Sequence, residues 1–175
     1  MRDIPIRRKE DVLDPVGKRL WPLMKGRDGC RSPMQWQAGP NAGFAPAGAR
    51  PWLPLHANAD ARNVEAQRAD PGSLFNFYRR LIAVRRANPA LVDGMFQPIT
   101  FGTQYLLAYL RQDADQTVLV ALNFSGRRQR LVLGSHLARA GWDLLLSTHR
   151  DSPPLIQRGA LLVLEPYEAL ILAMG

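Results

Sequence analysis

The sequence predicts an α+β chain in two parts: loops with one or two helices over residues 1–92, then an antiparallel β-sandwich or barrel over 93–175. Three observations carry this. Leu74, Phe75, Phe77, Tyr78, Leu81, Ile82 and Val84 fall on one broad arc at helical spacing. After Asp93-Gly94 the period changes, and short runs of Val, Leu, Ile, Tyr and Phe recur between turn residues. The first 62 residues show neither period, and Gly, Pro, Ala and Asn dominate their second half.

In chain order, residues 1–25 are polar, with Pro5, Pro15 and Pro22 spaced through them and no convincing periodicity. The mixed-charge run Arg7–Asp11 predicts an exposed face. A compact domain rarely opens on so long an irregular segment, so the chain is expected to begin inside a larger fold. Residues 26–37, GRDGCRSPMQWQ, put two arginines, an aspartate and the single cysteine within five positions. Ser32-Pro33 excludes a helix, because the residue before proline is pushed out of the α region. This predicts an ordered, charged loop closed by Trp36, of the kind that carries binding residues on a scaffold. Residues 38–62 continue as loop, with Phe44, Trp52 and Leu53 as apolar anchors; the tryptophans argue against disorder.

Asn63 predicts the cap of a short turn, NVEAQRA, with Glu65 near the positive end of its dipole. Asp70-Pro71 reads as N-cap and N1 of the longer helix, since proline loses nothing at N1. Asn88-Pro89 ends that helix. Arg85 falls inside the apolar arc, which predicts a buried stem and a head paired with a carboxylate or with terminal carbonyls. Seven strands are then expected: 96–101, 105–111, 117–124, 130–133, 142–146, 161–164 and 169–174. Asp113-Ala114-Asp115 joins two of them as a hairpin loop, and Ser125-Gly126 marks another turn.

Composition narrows the function classes. One cysteine excludes an internal disulfide framework and argues against a thiolate metal site, which is compatible with a reducing compartment. No signal-peptide-like apolar run opens the chain and no stretch approaches a membrane span, so a cytoplasmic protein without a membrane partner is expected. The net charge of +8 and pI of about 10.5 invite a nucleic-acid reading. The basic residues do not interleave with aromatics as single-strand binders require, so scattered surface charge is the preferred reading and no nucleic-acid partner is expected.

Among individual residues, the planar forks of Arg27 and Arg31 could orient a carboxylate or sugar hydroxyls, or could be surface arginines. Asp28 could position a ligand or shape a turn. Trp21, Trp36 and Trp52 could stack on a ring, although burial as loop anchors is their commoner fate. Cys30 reads as a small buried hydrophobe. His56, His136 and His149 have no metal spacing, and Asp113 with Asp115 lacks the glycine and glutamate of a calcium loop. No metal site is expected. Asn123-Phe124-Ser125 matches a glycosylation acceptor, irrelevant without secretion.

The segments GRDGCRSPMQW at 26–36, AGF at 42–44, PWLPL at 51–55, NVEAQ at 63–67, DPGSLFNFYRRLIAVRRANPAL at 70–91 and LEPYEALIL at 164–172 together resemble glycoside hydrolase family 13. The resemblance lies with its α-glucosidase and oligo-1,6-glucosidase branch. It implies a (β/α)₈ barrel followed by a C-terminal antiparallel β-sandwich. This chain would then be the end of that barrel, the loop after strand 8 and helix 8, followed by the sandwich. An intact barrel takes about 250 residues, far more than precede the sandwich here. The family's retaining chemistry uses a nucleophilic carboxylate and an acid/base carboxylate, with a third carboxylate assisting. The resemblance places all three before Met1, so no catalytic residue is assigned, and no cofactor is implied. Arg31 matches an arginine that closes the floor of the first glucose site; Arg27 is expected near the pocket entrance. Gln37 stands where the family usually has aspartate.

The implied function is the C-terminal part of a retaining α-glucosidase acting on small α-linked gluco-oligosaccharides or sucrose, inactive alone. An α-glucoside would then be its partner only together with the missing barrel. The rival is a non-catalytic β-sandwich module that binds carbohydrate or protein. Residues 1–62, without the barrel strands, are expected to expose apolar surface and to favour self-association.

Overall fold

The computed structural model describes residues 6–99, 104–156 and 160–175. It divides into two compact units, residues 1–77 and 78–175, and the division falls within one helix.

The first unit is loop held by short helical turns. Helix α1 (Pro15–Leu20) follows Asp14, whose Oδ1 accepts from the Val16 amide at 3.2 Å, with proline at N1. This helix was not expected before Gly26. Helix α2 (Val64–Ala69) starts as predicted, with Asn63 Oδ1 accepting from the Ala66 amide at 2.9 Å. Helix α3 (Leu74–Ala87) does not begin at Asp70-Pro71. Asp70 instead accepts from the Gly72 amide at 2.8 Å in a tight turn, and Ser73 Oγ accepts from the Asn76 amide at 3.2 Å. Ser73 therefore supplies the cap. Among the described residues of this unit, the buried apolar side chains are Leu53, Val12, Ala42 and Ile6.

The second unit is the expected sandwich. Its strands are β1 (Met95–Pro98), β2 (Leu106–Gln112), β3 (Thr117–Asn123), β4 (Gln129–Val132), β5 (Trp142–Ser147), β6 (Leu161–Leu164) and β7 (Ala169–Met174). All pairings are antiparallel, in a five-stranded sheet of order β1-β2-β3-β7-β5 and a two-stranded sheet β4-β6. Each predicted run falls on a strand; the first was expected to reach Phe101, and residues 100 and 101 lie outside the described set. Two short helices were not foreseen: α4 (Pro89–Asp93), whose first residue is the proline that stops α3, and α5 (Ser135–Arg139).

The core lies where inward-facing residues of both sheets meet: Leu110, Leu119, Leu131, Leu162, Leu164 and Leu172 among them, with Trp142 donating to the Leu137 carbonyl at 2.9 Å. Strand β3 is central and buried on both faces, because Ala90 and Leu91 of α4 cover Val118 and Val120 on the far side. Among the described residues of this unit, one charged side chain is fully sealed. Glu168 has a fully buried side chain and accepts from Arg150 Nε and Nη2 at 2.5 Å each and from the Glu165 amide at 2.8 Å.

Two expectations for α3 need correction. No residue of the helix is buried, and Leu74, Tyr78 and Ile82 on the apolar arc are exposed. Arg85 is itself exposed, so its stem is not buried, but its guanidinium donates to the Leu91 carbonyl of α4, a helix-terminal carbonyl as expected.

Candidate functional site

The charged loop 26–37 is built on two buried carboxylates. Asp28 is completely buried, and its Oδ2 accepts from the Leu13 amide at 2.7 Å and the Asp14 amide at 3.1 Å. Its side chain fixes the backbone at the start of α1, 14 and 15 residues away, rather than shaping a turn beside Gly29 or holding an arginine. Its Oδ1 has no hydrogen-bond partner among the described residues.

Asp14 in turn holds Arg27. Its Oδ2 accepts from Arg27 Nε at 2.9 Å and from the Arg27 amide at 2.8 Å, and its Oδ1 accepts from Arg27 Nη2 at 3.0 Å. This bidentate fork, helped by the Arg27 and Val16 amides and opposed by burial, holds the Asp14 carboxyl far below the usual carboxylate range. The same pairing raises Arg27. The two segments can approach because both carry glycine. A Cβ on Gly17 would lie 2.7 Å from Gly26 Cα, and Gly26 sits at φ +81°.

A short 3₁₀ turn, Asp28–Cys30, follows, flanked by Arg27 on one side and Arg31 on the other. The Arg31 amide donates to the Asp28 carbonyl at 2.9 Å, so its backbone is fixed to the buried carboxylate's own residue. Its side chain is exposed and has no hydrogen-bond or ion-pair partner among the described residues. Downstream, the carbonyls of Gln35 and Trp36 accept from the Val64 and Glu65 amides at 3.0 Å each, which ties the loop to the first turn of α2. Gln35 Nε2 adds a bond to the Arg62 carbonyl at 2.6 Å.

The structure therefore brings Arg27 and Arg31 to one turn but gives them different situations. The fork of Arg27 is occupied by Asp14, whereas the fork of Arg31 is uncommitted on a rigid backbone. An uncommitted guanidinium so placed can take a carboxylate or a pair of hydroxyls.

Several expectations are corrected. Trp36 and Trp52 are 49% and 55% exposed and Phe44 is 47% exposed, so they do not anchor the loops by burial. Main-chain bonds and the small apolar residues perform that task instead. Cys30 is exposed, because the 3₁₀ turn points it away from the buried Asp28. Asn123 of the glycosylation pattern is buried, its Nδ2 donating to the Arg127 and Glu165 carbonyls at 2.8 and 2.7 Å. Among residues 6–62, large apolar side chains are exposed, with Leu23 at 95%.

Among the described residues the three buried carboxylates, Asp14, Asp28 and Glu168, are all engaged in holding the fold. No group of three or more His, Cys, Asp or Glu among them could hold a metal, and no helix there is long and apolar enough to cross a membrane. Sequence reasoning missed Asp14, although Asp14-Pro15 carries the same cap-and-proline signature that was read at Asp70-Pro71.

Comparison with known proteins places this geometry in context. The family model described as alpha amylase, catalytic domain, matches residues 6–94, and the one described as maltogenic amylase, C-terminal domain, matches 101–171. A probable oligo-1,6-glucosidase of Bacillus subtilis is 38% identical over 162 residues, 93% of this chain and 27% of that protein. A probable alpha-glucosidase of Rhizobium meliloti is 44% identical over 117 residues, 66% of this chain and 20% of that protein. The trehalulose synthase of Pseudomonas mesoacidophila superposes with a TM-score of 0.79 at 26% identity, over 99% of this chain and 33% of the solved one. The chain thus spans a fifth to a third of the length of these relatives.

Proposed function

The chain belongs to the α-amylase family of glycoside hydrolases, as the end of its barrel followed by its C-terminal sandwich, and on that premise we propose that it is the C-terminal part of a cytoplasmic retaining α-glucosidase. The substrates are small α-linked gluco-oligosaccharides or sucrose. Arg31 contributes to holding a glucose unit, and Arg27 orders the turn beside it. The observation that supports this most is the contrast between the two arginines. One fork is occupied by a buried carboxylate, and the other is exposed and unpaired four residues along the same turn.

The chemistry assigns Arg31 a positioning part. A guanidinium offers parallel N–H donors to neighbouring sugar hydroxyls or to an acceptor that orients them. It supplies neither the nucleophile nor the proton that retaining hydrolysis needs. Asp14, Asp28 and Glu168 have structural duties, so on this reading the chain by itself does not hydrolyse glucosides, and an α-glucoside occupies the site at Arg31 only with the rest of a barrel. Incubating the purified 175-residue chain with an aryl α-glucoside tests this. No release of the aryl group above background is expected. Turnover that survives repurification and disappears with a substitution in this chain would overturn the assignment.

A further inference from the structure

We infer that the sandwich carries a second, non-catalytic sugar-binding groove on the outer side of the β4-β6 sheet, a reading that rests on the gluco-oligosaccharide substrates proposed above. Two adjoining recesses of about 480 and 520 Å³ lie there, sharing Arg128 and Val163. Each falls within the roughly 300–1,000 Å³ range of small-molecule sites. Gln129 and Arg130 complete the first; His149, Arg150, Leu155 and Glu165 are among the residues that line the second.

The chemistry of this lining suits a neutral polyhydroxylated ligand better than an anion. Arg128 Nε donates to Glu165 Oε2 at 2.8 Å, and Arg150 is held by the buried Glu168, so two of the three guanidinium charges are already balanced. What remains is the fork of Arg130, the other N–H groups of Arg128 and the Glu165 carboxylate, the set that a vicinal pair of hydroxyls satisfies by donating and accepting at once. Glu168 is fully buried and takes both Nε and Nη2 of Arg150, so that side chain is pre-positioned before any ligand arrives. Val163, Pro153 and Leu155, the last 89% exposed, offer apolar surface for the carbon faces of the rings. The groove is built wholly within the second unit, from residues that the loop around Arg31 does not use.

The test is titration of the full chain with isomaltotriose and maltotriose, with glucose 6-phosphate as the charged arm, followed by NMR of the arginine Nε–H signals and by calorimetry. Millimolar binding that shifts the Arg128 and Arg150 signals is expected. Arg128→Ala should weaken it by about tenfold, the effect of removing one charged hydrogen-bonding partner. Arg128 is 72% exposed, so the variant should fold; an unchanged thermal melt checks this, and Arg130→Ala serves as a second probe of the same wall. Absence of binding at about 20 mM sugar, far above the millimolar Kd expected, overturns the inference. So does tighter binding of the phosphate than of the neutral sugars, or a response that neither arginine variant alters. If instead Arg31→Ala abolishes the response, the sugar sits at the loop; the groove is then refuted while the proposed function stands.

Discussion

Replacing Glu168 with alanine should be the most damaging single polar change in the sandwich. The side chain is fully buried and accepts two hydrogen bonds from Arg150 and one from the Glu165 amide, with Ser147 Oγ at 3.3 Å. Removing one member of a buried pair leaves the other charged and unpaired, a loss of about 3–5 kcal/mol. The Arg150 side chain is 24% exposed, so water reaches part of it and the lower end, about 3 kcal/mol, is expected. Glu168→Gln keeps an oxygen towards Arg150 and forfeits the charge assistance, for a loss of about 1–2 kcal/mol. Urea unfolding can be followed through Trp142, the one tryptophan of the second unit, in a background where Trp21, Trp36 and Trp52 are phenylalanine. With a urea dependence of about 1–3 kcal/mol per M, the alanine midpoint falls by roughly 1–3 M, and glutamine lies between alanine and wild type. An alanine variant within about 0.5 kcal/mol of wild type, the scatter of ordinary surface changes, would show that this pair does not hold the sandwich together.

Other outcomes follow from the same contacts. The Asp14 carboxyl is depressed in the folded chain, so its stabilising contribution is complete above its ordinary value of 3.8 and is lost as pH falls below that value. Acid titration followed by Trp21, Trp36 and Trp52 should therefore show a steep acid limb that Asp14→Asn flattens while lowering stability at pH 7. Gly17→Ala drives a methyl group to 2.7 Å from the Gly26 backbone and should destabilise the first unit by about 1–3 kcal/mol, read as faster proteolysis at residues 26–31. Ser73→Ala should cost about 1 kcal/mol and speed amide exchange in the first turn of α3, whereas Asp70→Ala should leave that turn alone; the reverse ranking would return the cap to Asp70.

The sandwich was legible because each strand carries its own signal. Period-2 apolar runs bounded by turn residues locate themselves, and β3 to β7 fall where the pattern puts them. The hairpin at Asp113 was equally local, its Oδ1 accepting from the amides of Asp115 and Gln116. Helix starts were harder. The same Asp-Pro signature caps α1 at residue 14 but makes only a turn at residue 70, because Ser73, three positions on, has an oxygen placed for the Asn76 amide. Both sites satisfy the local rule, and tertiary contacts decide between them. The loop was legible as ordered and charged but not in how it is ordered. Its tryptophans suggested burial, whereas Asp28 and Asp14, reaching across 13 to 15 residues of chain, are what fix it. No spacing rule links carboxylates to amides at that distance. Arg27 and Arg31 look alike by residue pattern and are separated in sequence only by the family resemblance; in the structure Asp14 occupies the fork of Arg27 alone.

The most direct test joins residues 6–175 to the upstream barrel portion of an oligo-1,6-glucosidase relative and compares Arg31 with Arg31→Ala in that chimera. A guanidinium donating to a sugar or its orienting carboxylate is worth about 1.5–3 kcal/mol, so kcat/KM on an aryl α-glucoside should fall by roughly 10- to 150-fold. Inhibition by free glucose should weaken in parallel. An active chimera whose kcat/KM and glucose inhibition are both unchanged by Arg31→Ala would contradict the account, because the exposed fork would then have no sugar to hold.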